Sequence, residues 1–315
     1  MSPMSAMSPL SAMSPLSSSF GRVLVIGGGA MATGIAARLA AADIETVVLV
    51  RRREAVAPTR DEIGRRVGQL GGSVRPVTVL VGDAPGPFAL AVESVAEDLV
   101  AKRAVLARAE ALVADDGIVA TNTSSLRLAD LAEGLKRPEL FASWHWFNPA
   151  ELVPLVEVTG GPLTAPDTLA RLASLSRAIG KEPITLRRDH PGFVANRLQY
   201  ALLREAYALV EEGVCEAEDV DRAVVAGLGA RWAAIGPFAS MDAAGLDVHE
   251  AVAEQLFPQL SRVTEVPALL REARRAGATG MKGGRGLLGD YPADAVRQIA
   301  ARRDAMLALL AEARA

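Results

Sequence analysis

The stretch SWHWFNPAELVPLVEV, residues 143 to 158, sets His145 between two tryptophans and places Glu157 twelve residues further on, inside an apolar run. The chain has three histidines and three tryptophans, so their concentration here singles the stretch out. An imidazole exchanges its proton near neutral pH, which suits the acid or base of a proton-coupled reaction. A carboxylate in an apolar strand is either paired or protonated, because an unpaired buried charge is costly. The second chemistry-bearing stretch is GGGAMA, in which Gly27, Gly29 and Ala32 satisfy G-x-G-x-x-[G/A]. In such a turn the first glycine permits the tight bend and the second lets backbone approach a pyrophosphate. The small third residue lets helix and strand pack closely.

The elements around the glycine turn read as a βαβ unit: a strand over 22–26, an alanine-rich helix, and a second strand over 46–50. The helix start offers free N–H groups and a positive dipole end to phosphates. An acidic residue commonly ends the second strand and binds the ribose hydroxyls of NAD. Here Arg51, Arg52 and Arg53 follow it. Arginine cannot accept those hydroxyl hydrogen bonds but pairs bidentately with a 2′-phosphate. NADP is therefore the expected cofactor, with NAD as the alternative if Glu54 takes the acidic role.

Further strands are expected over 76–81, 88–94, 117–125 and 140–147, with a helix between the second and third of these. Alternating strands and helices predict an α/β fold, a Rossmann-type doubly wound and mostly parallel sheet, followed by an all-α C-terminal domain. Ligands of such sheets sit beyond the carboxyl ends of the strands, where Ser124, Ser125, His145 and Asn148 fall. Trp144 and Trp146 are expected on opposite faces of their strand, one in the core and the other against the pocket. The boundaries expected are a disordered tail over 1–20, a dinucleotide domain over 21–189 and a helical substrate and dimerisation domain over 190–315. The segment GMKGGRGLL is expected to be a loop.

Taken in order, GGGAMATGIA, ESVAEDLVAK, TNTSSL, HWFNPAELVPLVEV and PGFVANR resemble the 3-hydroxyacyl-CoA dehydrogenase superfamily, over nearly everything from Gly21 onward. The resemblance implies that His145 and Glu157 form a catalytic dyad. It implies that Ser124 and Asn196 contact substrate, that Asn148 sits beside the dyad, and that Glu97 and Lys102 border the cofactor. With Gly27, Gly29, Ala30, Met31, Arg51, Arg52 and Asn122, these last two complete the cofactor candidates. The chemistry accounts for the residue types. Neutral histidine takes the hydroxyl proton while hydride leaves the carbon, and a carboxylate on the far ring nitrogen fixes the tautomer. The family also implies a homodimer built on the helical domain.

Two departures bear on substrate. The stretch over 54–75 is short where acyl-CoA members carry a long helical arm. Arg231-Trp232 resembles the crystallin-like L-gulonate and carnitine dehydrogenase branch, where an arginine could clamp a free carboxylate; a structural salt bridge is the alternative. The expected reaction interconverts an L-3-hydroxy acyl compound and its 3-oxo form, as a thioester or, favoured by the departures, a free or short acid. A non-catalytic dinucleotide-binding protein is the alternative from another class, and retention of the whole set of motif residues argues against it.

Composition adds exclusions. Half of the 315 residues are hydrophobic and the net charge is −3, which gives no case for nucleic acid or an anionic membrane. One cysteine, Cys215, excludes an internal disulfide framework, and a reducing cytoplasm fits. No metal site is expected, and His190 and His249 are expected to be structural or exposed.

Overall fold

The computed structural model of the chain describes residues 20–71 and 77–314. The tail expected over 1–20 lies outside them up to residue 19, as does Pro76 at the head of the expected third strand. Phe20 is instead a core residue, buried to 2%. Backbone contacts divide the chain into two compact units, Met1–Val194 and Ala195–Ala315.

The first unit is built on eight strands: β1 (Arg22–Ile26), β2 (Glu45–Val50), β3 (Thr78–Val81), β4 (Phe88–Glu93), β5 (Val113–Thr121), β6 (Phe141–Trp146), β7 (Leu155–Gly160) and β8 (Glu182–Thr185). Their order is β3-β2-β1-β4-β5-β6-β7-β8, and every neighbouring pair is parallel except β6 and β7. The order reverses beside β1, which creates the crevice where doubly wound sheets bind ligands. The helices of this unit are α1 (Ala30–Ala41), α2 (Val56–Gln69), α3 (Leu99–Leu112), the short α4 (Leu128–Ala132) and α5 (Pro166–Ala178). Apolar residues on the two sheet faces form two clusters, one around Val25, Ile35 and Trp144 and one around Leu24, Leu106 and Phe141. A sheet covered on both sides explains why β1 and β2 read as continuous apolar runs rather than alternating ones.

Two differences from expectation have local causes. β5 starts at Val113, directly after α3, not at Gly117. A register shift between Phe88 and Leu90 accommodates the extra residues, and a Cβ at Gly117 would lie 2.8 Å from the Phe88 carbonyl oxygen. β8 was not foreseen, because it is four residues long and contains Pro183; proline removes a ladder donor and confines such strands to an edge.

The second unit contains α6 (Ala195–Glu211), α7 (Ala217–Ala223), α8 (Gly229–Ala244), α9 (Leu246–Leu256), α10 (Ala268–Arg275) and α11 (Ala293–Arg314). α8 is broken at Gly236, whose φ of 71° precedes Pro237. GMKGGRGLL is not the expected loop: a 3-10 turn (Met281–Gly283) leads into a hairpin, β9 (Arg285–Gly286) and β10 (Gly289–Asp290). Among the described residues of this unit, Ala278 is the one buried side chain.

Candidate active site

The carboxyl ends of five strands are knitted into one rim. Gly27 N donates to Leu49 O, Ser94 N to Ile26 O and Asn122 N to Glu93 O, at 3.0, 2.9 and 2.8 Å. The Asn122 side chain extends the row, accepting from Trp146 N at 2.8 Å and donating to Ser94 Oγ at 3.3 Å. Asn122, directly after β5 and just ahead of Ser124 and Ser125, thus joins that loop to the strand carrying His145. Gly27 must be glycine: its φ is 143°, and a Cβ would fall 2.3 Å from Ser94 O.

His145 and Glu157 face each other because of register. β6 and β7 are antiparallel, and Cα partners run Trp144 with Val158, His145 with Glu157, and Trp146 with Val156. Directly opposed side chains on one face lie within reach of each other. His145 Nδ1 and Glu157 Oε2 are 2.8 Å apart, and both side chains are buried. Glu157 Oε1 accepts from Val194 N at 2.9 Å. Both carboxylate oxygens therefore have donors, which is what allows an ionised group to sit in an apolar strand. With the carboxylate accepting, the proton of a neutral imidazole resides on Nδ1, and Nε2 is the acceptor.

The tryptophans do not take opposite faces. Residues two apart on a strand share a face, so Trp144 and Trp146 both enter the core, edge to face with centroids 4.7 Å apart. His145 points to the opposite face, with Phe147 and Phe193 beside it at 4.6 and 5.3 Å.

Glu97 organises the loop after β5. Its Oε1 accepts from Thr123 Oγ1 at 2.6 Å, Ser124 N at 2.9 Å and Ser125 N at 3.0 Å. Burial alone would push this carboxyl up. The hydrogen bonds from Thr123, Ser124 and Ser125 and the charge of Lys102 outweigh it and hold the group at about 2. Ser125 Oγ is spent on the same oxygen at 3.0 Å, whereas Ser124 Oγ reaches it only at 3.4 Å. Ser124 keeps the freer hydroxyl. Lys102 is itself buried, with Nζ 2.8 Å from both oxygens of Glu93 and 3.3 Å from Glu97. Asp98 accepts from Ala101 N and so caps α3, which delivers Lys102 to this position.

Asn148 is exposed at the start of the turn after β6. Two buried basic residues that sequence reasoning missed anchor that turn. Lys181 Nζ donates to Ala150 O and Val153 O at 2.5 and 2.6 Å and lies 5.0 Å from the Trp146 ring centre. Arg66, on α2, pairs with Glu151 at 2.7 Å. α1 passes so close that a Cβ at Gly34 would fall 2.5 Å from Glu151 Oε2. The signal for Glu151 was available: it is the one charged residue between Asn148 and Glu157.

The glycine turn fits a dinucleotide. The N-cap of α1 is Gly29, with no side-chain cap and no acidic residue in the first turn, so the N–H groups of that turn are not satisfied by side chains. Above Gly29 a Cβ would meet nothing within 4 Å, so backbone is open to close approach. Ala30 is exposed and Met31 half-buried at the same helix start. Arg51 and Arg52 are exposed beyond β2, and Arg52 lies 3.3 Å from Glu54. Asn196 and Arg231 belong to the second unit: Asn196 is half-buried in the first turn of α6, and Arg231 is exposed on α8. No helix among the described residues is long and apolar enough to cross a membrane.

Comparison with known proteins agrees with this architecture. The family profile described as "3-hydroxyacyl-CoA dehydrogenase, NAD binding domain" matches residues 22–190, and its "C-terminal domain" counterpart matches residues 192–289. The 5-formyl-3-hydroxy-2-methylpyridine 4-carboxylate 5-dehydrogenase of Mesorhizobium japonicum is 39% identical over 276 residues, 84% of this chain and 89% of that protein. The mitochondrial hydroxyacyl-coenzyme A dehydrogenase of Homo sapiens is 35% identical over 251 residues, 74% of this chain and 78% of that protein. A crystal structure of 5-formyl-3-hydroxy-2-methylpyridine 4-carboxylic acid 5-dehydrogenase, described as an NAD+-dependent dismutase, superposes with a TM-score of 0.85 at 34% identity. It covers 94% of this chain and 98% of that one. The chain belongs to the 3-hydroxyacyl-CoA dehydrogenase family, and with it to the nicotinamide-dependent dehydrogenases that act on CH–OH groups.

Proposed function

We propose that the chain moves hydride between a nicotinamide dinucleotide and an L-3-hydroxy/3-oxo acid, using His145 as proton carrier and Glu157 as its orienting carboxylate. The observation that carries this reading is the buried 2.8 Å hydrogen bond between His145 Nδ1 and Glu157 Oε2, at the rim that also bears the glycine turn. In the oxidative direction His145 Nε2 takes the hydroxyl proton, and Glu157 stabilises the imidazolium as it forms. The bound nicotinamide supplies the hydride acceptor. Ser124 Oγ donates to the substrate oxygen as negative charge develops there.

A free carboxylate is the favoured substrate class. The short α2 segment leaves out the long arm of acyl-CoA members, and the Mesorhizobium relative is named for a pyridine carboxylate. Arg51 and Arg52 favour NADP, whereas the structural relative is described as NAD+ dependent. A second copy of the chain is the proposed partner: on the second unit Tyr200 is 68% and Phe238 88% exposed, apolar area that a homodimer would cover.

The test is steady-state reduction of acetoacetyl-CoA and of free 3-oxo acids with NADPH and with NADH, for wild type, His145→Ala and Arg51→Asp. Loss of turnover in His145→Ala is expected, and retained turnover would favour the non-catalytic reading. Arg51→Asp is expected to shift preference toward NADH; an unchanged preference sinks the arginine argument.

A further inference from the structure

Phe193 adopts a backbone conformation that its side chain disfavours. Its φ is 48°, in the left-handed region where non-glycine residues are uncommon and a bulky one is an outlier. Such strain persists only where the surroundings over-determine it. The local chain supplies part of the reason. His190-Pro191-Gly192-Phe193 closes a turn in which Phe193 N donates to His190 O at 2.8 Å, and Gly192 itself has a φ of 77°. Proline followed by glycine favours such a turn, but nothing in it requires the next residue to be left-handed as well.

The remaining reason lies at the dyad. The left-handed turn of the chain at Phe193 brings the next amide, Val194 N, to 2.9 Å from Glu157 Oε1. It also buries the Phe193 ring to 3% exposure, 5.3 Å from the imidazole of His145. One residue thus fixes the oxygen of Glu157 that His145 does not use and closes one side of His145. Phe147 packs at 4.6 Å from the same ring, so the imidazole has aromatic neighbours in addition to its carboxylate.

We propose that Phe193 is a positioning residue of the His145–Glu157 pair, its left-handed backbone holding the Val194 amide on the carboxylate while its ring confines the imidazole. This rests on the catalytic reading of the pair given above. Backbone and ring contributions separate by substitution. Phe193→Gly removes the ring but accepts a positive φ without strain, so the amide stays on Glu157. Phe193→Ala removes the ring and disfavours the left-handed conformation, so the amide leaves.

The experiment measures backbone amide exchange at Val194 by NMR, with kcat and KM for whichever of acetoacetyl-CoA and free 3-oxo acids the wild type reduces. Slow Val194 exchange is expected in wild type and Phe193→Gly, and faster exchange in Phe193→Ala. The kcat of Phe193→Ala is expected about tenfold below that of Phe193→Gly, the factor that a left-handed penalty of this kind converts to, with KM for the cofactor unchanged. Equal exchange and equal kcat in the two variants, or wild-type kcat in Phe193→Ala, overturns the proposal. The exchange measurement needs no substrate, so it decides the clamp even if the catalytic reading falls. Retained turnover in His145→Ala would identify that separate failure.

Discussion

Exchanging Glu157 for glutamine replaces one oxygen by an amide nitrogen and reverses the hydrogen-bond logic of the pair. Val194 N–H donates to Oε1 at 2.9 Å, so the amide carbonyl must take that place. The NH2 group then stands where Oε2 met His145 Nδ1 at 2.8 Å. Two donors cannot share that line. The imidazole responds by shifting its proton to Nε2, where it can no longer accept a proton from substrate. The opposite amide orientation would set NH2 against the Val194 N–H, leaving a buried donor unmatched at a cost of about 1–3 kcal/mol. By that margin the inactive tautomer outweighs the active one by roughly five- to 150-fold. Loss of the charge that stabilises the imidazolium adds to this, and the same exchange behind a catalytic histidine lowers kcat by about 10⁴ in the serine-protease triad.

The assay follows NAD(P)H absorbance at saturating 3-oxo substrate, with cofactor affinity and thermal midpoint measured on the same sample. Glu157→Gln is expected to bind cofactor as wild type does and to lose kcat by about three to four orders of magnitude. Retention of more than about a tenth of wild-type kcat, against the tautomer shift estimated from one unmatched donor, would refute the orientation argument. A collapse of cofactor affinity in step with kcat would instead mean that the carboxylate supports the fold of the rim and not the imidazole.

Burial pushes the Lys181 ammonium down from 10.5 to about 7, with the Arg38 charge adding to the fall and Glu151 opposing it. Between pH 7 and 10.5 the unfolded chain binds this proton and the folded chain does not, so the site's contribution to stability rises with pH through that window. Lys181→Met is expected to flatten the rise in urea-unfolding free energy, and a slope identical to wild type would contradict the assignment. Arg66→Met removes the guanidinium paired with the buried Glu151, leaving it only the charge of Lys181 nearby, and is expected to cost about 3–5 kcal/mol of unfolding free energy. Adding Glu151→Leu should restore most of it. A double variant as unstable as the single would show that packing of the Arg66 stem, not its charge, anchors the turn.

What the sequence disclosed and what it hid divide along a physical line. The glycine turn was legible because backbone geometry demands particular residue types at fixed offsets: Gly27 at a φ of 143° against the Ser94 carbonyl allows no substitute. The pairing of His145 with Glu157 depends instead on strand register. Their separation of twelve residues meets across β6 and β7 only because those two strands, alone among the neighbours in the sheet, run antiparallel. The resemblance supplied that pairing, and composition could not. The tryptophans were legible in principle, since a period of two puts Trp144 and Trp146 on the same face whatever the fold. Lys181 and Arg66 were hidden for a different reason. A charge in sequence reads as solvent-facing until the segments around it are known to close over it, and here the closure comes from segments 28 to 85 residues away. The Val194 amide on Glu157 belongs with them. It is a backbone group with no residue type to betray it, and its position follows from the conformation of Phe193, which the letters PGF do not encode. The chemistry of this site is written in side chains, but its precision depends on backbone that only the folded chain reveals.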